Sequence, residues 1–222
     1  MKDAMKQNPP ENAASRGNDA RSRAELRRRA FLDAARDVFL EQGYESANMS
    51  EIVRRAGGSL ATLYAQFGDK EGIFLAVLER RMKEMTDALE VELQAHTPVE
   101  EGLRRIGERF AGKLVQPQSL DLYRLIVGLV KKFPELAQTF MQLGPNKVRI
   151  GLAAYLQDRA DAGEIPHSDD FEELGALFLD MVRSPLQSRA LLDPSIQPTE
   201  DDVRASVERT VNVFLYGLAG KR

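Results

Sequence analysis

Ser59, Thr62, Tyr64 and Gln66 fall within one short stretch bounded by Gly57-Gly58 and Gly68-Asp69. Hydroxyl, phenol and amide side chains set a turn apart suit hydrogen bonding to phosphate oxygens and base edges. Thr62 can donate to a phosphate or touch a thymine methyl, and Tyr64 can offer its hydroxyl to phosphate. Tyr64 can equally be a half-buried core tyrosine. Catalytic chemistry has less to work with. Cysteine is absent, which excludes thiolate nucleophiles, disulfides and thiolate metal sites. Only His96 and His167 are present, neither with a partner at ligand spacing, and both read as surface residues. The pairs Asp169-Asp170, Glu172-Glu173 and Asp201-Asp202 sit where helix N-termini are expected and favour the macrodipole there. No glycine motif cradles phosphate. The residues therefore predict no enzyme, no cofactor and no metal.

The elements that must position the polar stretch are helices. From Ala24 onward, Phe31, Ala35 and Phe39 recur at i, i+4 and i+8, and Gln42-Gly43 closes that helix. Asn48 and Glu51 have capping-box spacing and open a short second helix with Ile52, Val53 and Ala56, which Gly57-Gly58 stops. Ser59 caps a third, Leu60 to about Phe67, in which Leu63 and Phe67 share one face and belong to the core. The remaining candidates Ser59, Leu60, Ala61, Thr62, Tyr64 and Gln66 cannot all point one way. Asp69 caps a long fourth helix running to about Gln94.

Six more helices follow. Thr97-Pro98 opens the fifth, which Gly102, Gly107 and Gly112 interrupt, so either its neighbours pack very closely or it is loosely held. The sixth covers about Ser119 to Lys132. Pro134 begins the seventh, Gly144-Pro145 breaks it, and the eighth covers Asn146 to about Ala162. Two long helices finish the chain, about Asp169 to Leu192 (kinked at Ser184-Pro185) and about Thr199 to Gly220. No strand and no repeat is visible. The fold class is all-α, with a three-helix N-terminal helix-turn-helix domain and a larger helical domain.

Composition agrees. The 222 residues are 43% hydrophobic and 29% charged, with net charge −3, so a core is affordable and a protein basic throughout is excluded. No apolar run suffices for a membrane span and no signal-peptide core opens the chain, so a soluble cytoplasmic protein without a membrane partner is expected. Charge is unevenly placed. Residues 1–29, which include Arg16, Arg21, Arg23, Arg27, Arg28 and Arg29, carry +4 and the remainder −7. A basic arm on an acidic body suits phosphate neutralisation or minor-groove insertion; the plainer reading is a solvated tail.

A helix-turn-helix pattern alone is weak, since any small helical domain can produce it. The order and spacing here are specific. Ala34-Ala35-Arg36-Asp37-Val38-Phe39-Leu40-Glu41-Gln42-Gly43-Tyr44-Glu45-Ser46 precedes Met49-Ser50-Glu51-Ile52-Val53-Arg54-Arg55-Ala56-Gly57. Then comes Ser59-Leu60-Ala61-Thr62-Leu63-Tyr64-Ala65-Gln66-Phe67-Gly68-Asp69-Lys70-Glu71. Over Arg28 to Val77 the chain closely resembles the DNA-binding domain of the TetR (tetracycline repressor) family. The run Lys132-Phe133-Pro134-Glu135-Leu136-Ala137 through Gly144-Pro145 resembles the AefR-like branch. Two residues depart from the family pattern. Gly58 replaces a usual apolar residue. Leu60 replaces a common lysine or arginine, which bears on the operator sequence and leaves the DNA-binding role standing.

The resemblance implies a homodimeric, all-helical transcriptional regulator whose C-terminal helices bind a small effector. The function expected is a repressor on a near-palindromic double-stranded DNA operator, released by an effector that the aromatic and aliphatic candidate lining predicts to be lipophilic. The resemblance makes Tyr64 and Lys70 phosphate clamps, within an interface of Arg28, Asn48, Ser50, Ser59, Leu60, Ala61, Thr62, Tyr64 and Lys70. The domains expected are a disordered tail at 1–22, the reading domain at 23–70 and an effector and dimerisation domain at 71–222. Phe110, Tyr123, Val127, Phe133, Phe140, Met141, Tyr155 and Phe178 are candidates to line an effector cavity, although apolar side chains at helical spacing are more often plain core. The apolar stripes of the last two helices are wider than one neighbour requires. They predict a dimer interface through Leu174, Met181, Val207, Val211, Phe214 and Leu218, unless both helices simply cap their own core. The rival functions are a non-specific architectural DNA binder and an enzyme on a helical scaffold.

Overall fold

A computed structural model describes residues 12–93 and 97–218. His96 and residues 1–11 lie outside them. The described residues form ten helices and no strand: α1 (Asn12–Ser46), α2 (Met49–Ala56), α3 (Leu60–Phe67), α4 (Lys70–Leu93), α5 (Val99–Leu114), α6 (Pro117–Leu129), α7 (Pro134–Leu143), α8 (Pro145–Asp161), α9 (Phe171–Leu192) and α10 (Glu200–Tyr216). The all-α expectation holds. The chain divides into two compact units, Met1–Val77 and Leu78–Arg222. The division falls inside α4, after Val77 where the sequence suggested Lys70.

The first unit is built on an aromatic cluster. Phe39 and Tyr44 each meet Phe74 with ring centroids 5.0 Å apart, and Phe31 meets Phe67 edge to face at 6.3 Å. Ile52, Leu63 and Ile73 are fully buried with them. Residues 12–22, expected as tail, belong to α1. The exposed arginines Arg21, Arg23, Arg27, Arg28 and Arg29 are thus carried on a helix and not on an extended arm.

The second unit has its core among α5, α8, α9 and α10, centred on Leu103, Ile106, Leu152, Leu156, Phe178, Val182 and Val207. The glycines of α5 separate into two kinds. A Cβ on Gly102 would overlap the Tyr155 hydroxyl, and one on Gly107 would lie 2.7 Å from Val207 Cγ1. Both mark close helix approach. Gly112 faces open space. Pro117, Pro134 and Pro145 each open a helix, where the missing N–H costs nothing. Pro185 lies within an unbroken α9.

Val207 and Val211 are buried inside their own chain, so neither forms part of a surface for a second copy. Leu174 and Phe214 are partly buried against the same core. The exposed large apolar residues on and just beyond α9 and α10, among those described, are Leu177, Leu192, Val213 and Leu218.

Candidate DNA-reading head and ligand cavity

Two local caps set the reading head. The Asn48 side chain accepts from Ser50 N at 2.8 Å, and the Ser59 hydroxyl accepts from Thr62 N at 3.1 Å. Each satisfies one of the N–H groups a helix start leaves open. Between them the backbone turns through Gly57 (φ +72°) and Gly58 (φ +109°), a region that side chains with a Cβ avoid. Gly58 matters twice. A Cβ there would lie 2.8 Å from the Arg27 guanidinium and 3.1 Å from the Phe31 ring. The departure from the family pattern is thus matched to an arginine lying over the turn.

Leu63 and Phe67 face the core, and Ser59, Leu60, Ala61, Thr62 and Tyr64 are exposed. Tyr64, 48% exposed, is no core tyrosine. Gln66 is only partly exposed and its Oε1 is buried. The Thr62 hydroxyl shares a hydrogen bond with Ser59 Oγ at 2.9 Å. Asn48 and Ser50 are exposed at the start of α2. Arg28 lies over the Phe67 ring, 4.7 Å from its centroid. Lys70 donates to Glu45 O at 2.8 Å and to Ala47 O at 3.4 Å.

The arginines of α2 have partners of their own. Arg55 makes a two-pronged contact with Glu41 on α1 (2.7 and 2.8 Å) and also reaches Glu51, which Arg54 grips in turn. Hydrogen bonds from Arg54 and then Arg55 pull the Glu51 carboxyl down to about 2. This brace fixes α2 on α1, and the positive charge of both arginines is locally matched.

In the second unit, a cavity of about 340 Å³ opens among α4 to α9. Its apolar wall includes Met85, Phe110, Leu114, Tyr123, Phe140, Met141, Val148 and Leu179, and its polar residues are Asn146, Arg149, Asp180, Arg183 and Gln187. Four expected residues, Phe110, Tyr123, Phe140 and Met141, come together here. The other four do not. Val127 is exposed, and Phe133 packs near the Lys132 ammonium. Tyr155 is buried with its hydroxyl on Thr97 O at 3.0 Å, and Phe178 is fully buried against Phe214. A larger depression of about 880 Å³ along the start of α9 is lined by Asp169, Asp170, Glu172 and Glu173; it is a solvated acidic surface. Among the described residues no three His, Asp or Glu side chains are grouped to hold a metal, and no helix is long and apolar enough to cross a membrane.

A capped second helix, a two-glycine turn and a third helix with Ser59, Thr62 and Tyr64 exposed form a helix-turn-helix head. The comparisons agree with that architecture. The tetR family of bacterial regulatory proteins matches residues 31–77, and the C-terminal domain of AefR-like transcriptional repressors matches residues 101–217. The chain belongs to the TetR family of transcriptional regulators. It is similar to the activator FasR of Mycolicibacterium smegmatis, with 37% identity over 101 residues, 46% of this chain and 45% of that one. The match thus spans under half of that relative's length. It is similar to the regulator BetI of Rhizobium meliloti, at 27% over 184 residues, 81% of this chain and 89% of that one. Among solved structures, the flavonoid-responsive regulator FrrA shares 29% identity with a TM-score of 0.70, covering 85% of this chain and 95% of that one.

Proposed function

We propose that this protein is a ligand-released transcriptional repressor that binds a near-palindromic operator as a homodimer. The observation that carries it is the exposed Ser59–Tyr64 face of α3, set opposite buried Leu63 and Phe67. A helix so presented enters a major groove with Thr62 at base edges and Tyr64 and Lys70 at phosphates. Two heads on a two-fold axis then address half-sites about 34–36 Å apart. Repression is favoured over activation by the AefR-like repressor match across the C-terminal region. An effector in the 340 Å³ cavity would tilt α4, the one helix common to both units, and change the separation of the heads. The response of FrrA to flavonoids and the apolar lining of the cavity support a small lipophilic effector.

The test is selection of bound sequences from a random duplex pool, then transcription in vitro from a promoter carrying the selected site. A two-fold-symmetric consensus and lowered transcript support the reading. Binding without any consensus makes the protein a non-specific architectural DNA binder, and raised transcript makes it an activator.

A further inference from the structure

We infer that the cavity takes a lipophilic carboxylate, with its apolar body against the aromatic wall and its anionic head on the Arg149 guanidinium, which donates from Nε. This rests on the ligand-responsive reading above and specifies its ligand.

Three buried side-chain atoms have no hydrogen-bond partner among the described residues: Gln66 Oε1, Arg149 Nε and Arg159 Nε. Of these residues only Arg149 lines the 340 Å³ cavity. An N–H shut off from water and from protein acceptors is costly, and native proteins keep few of them. Arg159 is held on its other nitrogens by Glu164 and Asp158. Arg149 is held more loosely. Its Nη2 meets Glu172 at 3.3 Å, and the side chains of that pair are 41% and 57% exposed. An ion pair so placed contributes little, so turning the long side chain to bring Nε into the cavity meets small resistance. A guanidinium only donates, and an ionised oxygen makes a bond to it roughly twice as strong as a neutral one.

The charge of the wall favours an anion. Arg149 and Arg183 stand there against a single carboxylate, Asp180, which Arg183 holds at 2.8 Å. The lining therefore carries positive charge in excess. Pro145 and Asn146, the first residues of α8, lie in the same wall, and Gly144 before them has no side chain to cap that helix. The positive end of the α8 dipole thus borders the same space. Arg149 also borders the larger depression along α9, but there Asp169, Asp170, Glu172 and Glu173 outnumber it and repel an anion. The carboxylate belongs in the smaller cavity, where Phe110, Leu114, Tyr123, Phe140 and Met141 receive the apolar body.

The experiment is calorimetric titration of the full-length protein at neutral pH with para-phenylbenzoate and its uncharged isostere para-phenylbenzamide. The benzoate is expected to bind at least tenfold more tightly, because only its oxygens are ionised. Arg149→Met, similar in length and uncharged, should abolish that preference and keep the affinity for the amide within about threefold, which also reports an intact fold. If that variant fails to fold by circular dichroism, Arg149→Lys replaces it; lacking Nε, it should still lose at least threefold of the preference. Arg183→Met is the contrast and should keep most of the preference. Equal or tighter binding of the amide, or binding of neither compound, overturns the inference. So does a preference undiminished by the Arg149 substitution, or one lost equally in Arg183→Met, which would make the general charge of the wall the reader. Release of labelled operator, followed separately by anisotropy, distinguishes the two proposals. A benzoate bound with the expected preference that leaves DNA in place overturns ligand release alone. An amide that binds best and releases DNA overturns the reading by Arg149 alone.

Discussion

Lys70 donates from Nζ to the carbonyl oxygen of Glu45 at 2.8 Å, and its ammonium lies 5.1 Å from the centroid of the Tyr44 ring. The first residue of α4 is thereby fastened to the last turn of α1, beyond the break at Gly43 (φ +74°). A second, longer bond to Ala47 O leaves one of the three N–H donors for a phosphate. The residue expected only to clamp DNA also holds the reading head together.

Lys70→Met should accordingly show two effects. Urea unfolding should reveal a loss of about 1.5–3 kcal/mol, the range for hydrogen bonds made by a charged group. Operator affinity should fall for every sequence, and the slope of log K against log salt should become shallower by about one. A stability loss with an unchanged slope would make Lys70 purely structural.

Thr62 and Tyr64 sit on the same exposed face and should behave differently. Tyr64→Phe removes a phosphate donor and should weaken all duplexes by a similar factor. Thr62→Val keeps the methyl and loses the hydroxyl that faces Ser59 Oγ at 2.9 Å; it should change the ranking among operator variants. Binding to a panel of single-substitution operators separates the two. Identical profiles for both variants would place base reading elsewhere on α3.

The reading head was legible because its signals are local. Asn48 and Ser59 cap helices within two or three residues of themselves, and the Leu63–Phe67 spacing names the buried face. The cavity was legible only by half. Periodicity says that Phe110, Tyr155 and Phe178 lie on apolar faces but not whether a face meets another helix or a void. Tyr155 and Phe178 meet helices. Val207 looked like interface for the same reason, although its tight packing near Gly107 depends on α5, about a hundred residues away in sequence. Arg149 gave no signal, because a lone arginine in a helix is ordinary until the burial of its Nε is known. Residues 12–22 lack an apolar stripe, so nothing in their pattern distinguished helix from tail.

Gly58→Ala forces a Cβ onto a residue at φ +109° and against the Arg27 guanidinium. The backbone strain alone is worth roughly 1–3 kcal/mol, so denaturant midpoints should fall by a corresponding amount. Adding Arg27→Ala should relieve the contact and leave the strain, recovering only part of the loss. Full recovery would show that the turn tolerates a side chain there.

Tyr155 links stability to alkaline pH. Burial, the largest cause, pushes its hydroxyl up to about 12, against about 10 in an unfolded chain. Between those values the folded chain keeps a proton that the unfolded chain has released, so folding is fully favoured below about pH 10 and weakens as pH rises toward 12. Tyr155→Phe deletes the bond to Thr97 O and should cost about 1 kcal/mol at neutral pH. It should also flatten the decline of stability above pH 10. Unfolding curves at a series of pH values test both; an equally steep decline in the variant would assign it to other groups.

The dimer prediction moves to residues that are available. Leu177 on α9 is 50% exposed and Val213 on α10 is 41% exposed, while Val207 is fully buried. Two apolar side chains of this size on helices that pack together suit a four-helix bundle formed with a second copy about a two-fold axis. Charging them should spare the fold, because exposed positions contribute within about ±0.5 kcal/mol to stability. The double variant Leu177→Glu with Val213→Glu is therefore expected to be helical by circular dichroism and monomeric by light scattering at low micromolar concentration. Its operator affinity should fall sharply, since one head reads too few base pairs to be selective. Val207→Glu is the contrasting control, expected to unfold because it places a charge inside the core. A folded double variant that remains dimeric moves the interface off these helices. A folded monomer that binds the operator as well as the unaltered protein would separate DNA recognition from dimerisation altogether.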